Sequence, residues 1–311
     1  MPMTNPLRDL VAAELAQPVD ARVSAMAAAI AAKYPGAARA VLFYGSCLRT
    51  SDLQGQMLDF YLIVSDYRST YGKSWMAPAN RLIPPNVFPF EQDGLAAKYA
   101  VLSEADFARL NRPVTRSVSV WARFAQPSRI VWNADAAAAA SCVAAVAEAA
   151  PTLLQAAWPM LQETPTDPLQ LWREAFALTY SAELRAERQE RAASVVDSDP
   201  ERYRRFTGPA LEAAGIGTLS PDAALRLRPA TQEERLAAAR TWRVRRRIGK
   251  TLSVLRLAKA SGTFAGGIDY LAWKINRHAG TDISIAPWQR RWPLLGAITL
   301  LPRLLRRGAI R

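Results

Sequence analysis

The chain contains a single histidine, His278, and two cysteines, Cys47 and Cys142, among 311 residues. One imidazole leaves no means of building a histidine-rich zinc site and argues against a serine–histidine–aspartate triad. Two thiols are too few for a disulfide framework, which suits a reducing compartment. No uncharged apolar run reaches the roughly 18 residues of a membrane span. The opening stretch, MPMTNPLRDLVAAELAQ, carries acidic residues and no apolar core, so it does not read as a signal peptide. Acidic side chains are also scarce at one end. From Arg240 to Arg311 there are 16 Lys or Arg against two acids, Asp269 and Asp282, of 40 and 27 in the whole chain. The remaining 239 residues are close to neutral, so the net charge of +13 belongs to the C-terminal quarter. Such a tail attracts a polyanion, either nucleic acid or an anionic membrane.

What is present is most concentrated in residues 43–64, FYGSCLRTSDLQGQMLDFYLIV. An apolar strand over 41–44 runs into Gly45-Ser46, and Asp59 follows thirteen residues after Ser46 at the head of a second apolar strand ending near Val64. This is the layout of a nucleotidyltransferase palm. Gly45, without a Cβ, lets backbone approach a triphosphate. The Ser46 hydroxyl and the amides beginning the next helix can donate to its phosphates, and Asp59 can hold Mg²⁺. Most palms of this kind carry Asp-x-Asp on the second strand; here Met57 and Asp59 fill those places, and the first carboxylate is missing. Two strings that look like P-loop ends, Gly72-Lys73-Ser74 and Gly249-Lys250-Thr251, have Tyr67 and Val244 where the motif needs glycine.

The pattern along the chain predicts an α+β fold. Residues 7–33 read as a helix pair, 39–44 as the first strand, and 66–93 as a loop or short strands over the site. Residues 98–102 read as a strand, with Ser103 capping a short helix. Residues 118–133 alternate as a strand does, and 134–160 read as one Ala-rich helix. Helices follow at about 168–192, 200–214 and 231–247, with a short strand at 225–227 and renewed helical periodicity at 268–278. The expected organisation is a palm domain over 1–163, a helical, winged-helix-like domain over 164–247, and a basic amphipathic region over 248–311. The last segment, APWQRRWPLLGAITLLPRLLRRGAIR, interleaves Trp288 and Trp292 with Arg290, Arg291, Arg303, Arg306 and Arg307. It reads as an interfacial membrane anchor, since tryptophan settles at headgroup depth while arginines meet lipid phosphates. A packed helix with a solvated basic face and a nucleic-acid contact are the alternatives.

Several patches in one order resemble one family. They are FYGS with MLDFYLIV, NRLIPPNVFPFE, AKYAVLSEADF, LTYSAELR over 178–185, and SGTFAGGIDYLAWKI. The chain resembles the mitochondrial-type phosphatidate cytidylyltransferases, the translocator assembly and maintenance protein family, over about residues 40–280. The resemblance implies a Mg²⁺-dependent reaction of CTP with phosphatidate that gives CDP-diacylglycerol, by a protein peripheral to the cytoplasmic side of an anionic membrane, with no nucleic-acid partner. It puts Gly45 and Ser46 at the triphosphate, Asp59 on Mg²⁺ and Lys98 in the strand facing the phosphates. Glu183 would supply the second metal carboxylate and Arg185 a phosphate clamp, with Glu where the family has Asp. Arg123, in WARFAQP, would touch the phosphates or pair at the surface. A nucleotidyltransferase with a soluble or RNA acceptor, and a non-catalytic adaptor of this fold, are the competing readings.

Overall fold

A computed structural model describes residues 5–50, 53, 55–163, 165, 167–182, 190–263 and 285–287. Two helices, α1 (Pro6–Leu15) and α2 (Ala21–Ala32), begin where Asn5 and Asp20 side chains accept amides of the first turn. Strand β1 (Ala38–Tyr44) leads through α3 (Ser46–Thr50) to β2 (Met57–Val64). Next come α4 (Tyr67–Tyr71), α5 (Met76–Leu82), β3 (Asn86–Gln92) and β4 (Leu95–Ser103). Helices α6 (Glu104–Leu110) and α7 (Trp121–Phe124) precede the last large strand, β5 (Ser128–Asn133). The rest is helical apart from one hairpin: α8 (Ala136–Ala147), α9 (Ala149–Ala157), α10 (Pro168–Ala182), α11 (Glu190–Asp197), α12 (Pro200–Ala214), β6 (Gly217–Leu219), β7 (Leu225–Leu227) and α13 (Gln232–Thr263).

The five large strands form one mixed sheet in the order β3-β4-β2-β1-β5. Only β2 and β4 are parallel; α4, α5 and β3 make the crossover between them. The period of two along β2 sorts its side chains between two cores. Leu58, Phe60, Leu62 and Val64 face α2 and the buried Cys47 of α3. Tyr61 and Ile63 face α1 and the helices from α7 to α12. Asp59 shares the parity of Tyr61, so it stands on that second face, at the end of the strand.

Expectation and structure part in several places. Residues 66–93 hold two short helices before β3, because Asp66 caps α4 by accepting from the amides of Arg68 and Ser69. Within 118–133 only Ser128–Asn133 is a strand; Trp121, Ala122 and Phe124 form a helical turn whose side chains all enter the core. The Ala-rich stretch is two helices broken at Glu148. By length and composition Ala136–Met160 could cross a membrane, yet Cys142, Ala145, Ala149, Leu153 and Leu154 are buried in the protein core. The helix expected over 231–247 runs on to Thr263. Two local expectations stand. Ser103 Oγ accepts the Asp106 amide at 3.2 Å to start α6, and Leu225–Leu227 is a strand paired with β6. The periodicity over 268–278 lies outside the described residues.

Candidate functional site

The site grows from the junction of three strands. In the β1–β2 register Tyr44 lies opposite Asp59, and in the β2–β4 register Asp59 lies beside Lys98. Gly45 follows Tyr44 with φ of +94°, a conformation that side chains disfavour. A Cβ built there would lie 2.9 Å from Asp59 Oδ2. The glycine thus puts no side chain of its own against that carboxylate oxygen. On the other side Lys98 Nζ forms an ion pair with Asp59 Oδ1 at 2.9 Å, both groups being half-buried. Cys47, buried at the start of α3, donates weakly to the Met57 carbonyl at 3.5 Å and ties the Gly45-Ser46 turn to β2. Ser46 opens α3 and is exposed.

Lys98 also lines a cleft of about 150 Å³ that continues from the pair along the sheet face. Tyr44 and Tyr61 line it, and Arg123 and Arg256 join Lys98 as its cations beside Ser119. Arg123, on the short α7 turn, donates to the Ser119 carbonyl from one arm of its guanidinium. Arg256 arrives from α13. Its Nε donates to the Pro84 carbonyl at 2.7 Å and its Nη1 to Ser119 Oγ at 3.0 Å. One turn further, Lys259 donates to the Ile83 carbonyl. Burial, with a smaller push from the Arg256 charge, lowers the Lys259 ammonium to about 7. Among the described residues no group of three or more His, Cys, Asp or Glu side chains is placed to hold a metal ion.

No family model matches the chain. No curated protein matches it either. Among solved structures, a nucleotidyltransferase-like protein from Exiguobacterium sibiricum 255-15 aligns over 93% of each chain at 12% identity, with a TM-score of 0.28. A likeness that low carries no argument about fold or function, and the reading below is built on the residues.

Of the residues singled out from sequence, the structure brings Gly45, Asp59 and Lys98 into contact, with Ser46 next in the chain. Arg123 joins Lys98 in the cleft. Glu183 and Arg185 lie outside the described residues, as do Trp288, Arg290, Arg291, Trp292, Arg303, Arg306 and Arg307. Arg256 and Lys259 were missed. Their signal was present in the basic C-terminal quarter, but charge counting treats that quarter as one tail. It does not show that α13 folds two of its cations against the loop before β3.

Proposed function

We propose that the chain is a nucleotidyltransferase that takes CTP with Mg²⁺ and transfers its cytidylyl group to phosphatidate at a membrane surface, releasing pyrophosphate. The observation that carries the transferase reading is the Gly45–Asp59–Lys98 cluster: a strand-held carboxylate with a positive-φ glycine against one oxygen and a lysine paired to the other. The choice of CTP and phosphatidate rests on the family resemblance of the sequence and on its basic, tryptophan-containing C-terminus. The same resemblance supports a palm over 1–163, a winged-helix-like unit over 164–247 and a membrane-associating region over 248–311.

The donor set fits a particular kind of metal binding. Mg²⁺ commonly keeps several waters and uses one or two carboxylates together with substrate phosphates. One carboxylate beside a bare glycine suits an ion that arrives on the triphosphate, better than one resident in a protein cage. Bound there, the ion would offset charge on the phosphates. The chain's own residues supply the rest. Lys98, paired with Asp59 in this structure, would present a point cation to the triphosphate. The Arg123 fork borders the same cleft and suits a phosphate bidentately. Glu183 and Arg185 are proposed as a further carboxylate and clamp.

The acceptor needs little activation. A phosphatidate phosphate is already ionised near neutral pH, so its oxygen can attack the α-phosphorus as the bond to pyrophosphate breaks. No strong general base is required, which agrees with one histidine in the chain. Catalysis would rest on positioning and charge stabilisation. A second reading, a non-catalytic adaptor, draws on Met57 occupying the first carboxylate's place.

The test is pyrophosphate release by the full chain with CTP, Mg²⁺ and phosphatidate vesicles, each omitted in turn. Release that needs all three is expected, and Asp59→Asn should lower it at least about 100-fold with an unchanged thermal melt. Undiminished release in that variant would sink the reading. An absence of CTP–Mg²⁺ binding by the wild type would favour the adaptor.

A further inference from the structure

The segment between β2 and β3 presents a second cationic surface. Trp75 is 53% exposed and Leu82 78% exposed, and both lie on the rim of a cleft of about 660 Å³. Large apolar side chains held together in water mark an interaction surface. Arg68, Lys73 and Arg81 stand exposed on the same rim. The only carboxylate among the lining residues, Asp66, is engaged by its own chain: it accepts from the Arg68 and Ser69 amides at 2.8 and 2.9 Å and from the Ser69 hydroxyl at 2.8 Å. The rim therefore combines three cations, an indole and a leucine, with its one anion turned to capping α4.

We propose that this rim docks on an anionic lipid bilayer, with Trp75 and Leu82 entering the headgroup region and Arg68, Lys73 and Arg81 meeting lipid phosphates. Charge complementarity and the aromatic–aliphatic pair together select that occupant. An amphipathic indole settles at the membrane interface, and cations near an anionic surface add attraction within a Debye length. Place in the fold adds a consequence. Leu82 ends α5 only a few residues before Pro85, which lines the cleft holding Lys98 and Arg123. Docking here holds that cleft next to the headgroups, independently of the C-terminal anchor. The inference deepens the proposed function and rests on it for the choice of a bilayer over other polyanions.

The experiment places an environment-sensitive nitrobenzoxadiazole label at Trp75→Cys in the full chain, where Cys47 and Cys142 are buried and protected from the reagent. Vesicles of phosphatidylcholine with phosphatidylglycerol should shift the emission to the blue, and phosphatidylcholine alone should not. Arg68→Gln, Lys73→Gln and Arg81→Gln together should weaken that response at least about five-fold, the worth of one interfacial cation. The unlabelled chain is sedimented with the same vesicles in parallel. Sedimentation with a label that stays in water overturns this surface and leaves the bilayer reading standing. Absence of sedimentation overturns both. A label that responds to an RNA oligonucleotide and not to vesicles overturns the proposal in favour of a nucleic-acid surface.

Discussion

Gly45 and Gly36 separate two costs that a glycine can carry. Both have positive φ, +94° and +73°, so an alanine at either position meets the backbone penalty of about 1 kcal/mol. Only Gly45 also faces a functional group, since its added Cβ would stand 2.9 Å from Asp59 Oδ2 while nothing lies within 4 Å at Gly36. Gly45→Ala should therefore destabilise the protein by about 1–2 kcal/mol and, on the proposed function, lower pyrophosphate release at least about ten-fold, because a small misplacement of the Asp59 carboxylate would be costly there. Gly36→Ala should show the stability loss alone. Urea unfolding alongside the release assay reads both, and equal activity losses at the two positions would refute the steric argument.

At the scale of elements, a buried ion pair ties α1 to α12 across most of the sequence. Arg202, fully buried, donates to both carboxylate oxygens of Glu14 and, through Nη1, to the Ala125 carbonyl at 3.0 Å. Desolvation works against the guanidinium charge, but Glu14, Tyr203 and Asp199 together hold the Arg202 pKa above its ordinary value. Removing one member leaves the other charged and buried. Arg202→Leu should cost about 3–5 kcal/mol in urea unfolding, and the double variant with Glu14→Leu should recover much of that loss. A single variant within 1 kcal/mol of wild type would show that the pair contributes little. Nothing local announces this tie, because the two residues are 188 positions apart. The helix starts themselves are local, with the Asn5 side chain capping α1 and the Asp199 side chain capping α12.

Across the whole molecule, one hydrophobic cluster runs from Leu7 to Trp242 and crosses position 163, where the sequence suggests a domain boundary. Trp158 donates to the Arg228 carbonyl at 2.8 Å, and Trp242 of α13 donates to the Ala156 carbonyl at 2.8 Å, so segments on both sides of that position share a core. Residues 1–163 and 164–247 should accordingly unfold in one transition. Tryptophan fluorescence and far-UV circular dichroism should coincide along a urea titration. Two separated transitions would mean that the units are held by their own cores.

Local pattern was enough for β1, β2 and β4, for the Ser103 cap, and for the thirteen-residue spacing that sets Asp59 after Gly45-Ser46. Each is written in alternation, a capping side chain or a turn, and those act over a few residues. Local pattern failed at 118–133, where alternation is compatible with strand but the core has room for a helical turn bearing Trp121 and Phe124. It also could not place Lys98 against Asp59, which depends on the register of a parallel pair joined by a long crossover. The arrival of Arg256 at the cleft depends on the direction of a 32-residue helix. The chain by itself determined which residues could carry charge to a phosphate. Packing alone decided which of them meet, because register and helix direction are set by contacts between segments distant in sequence.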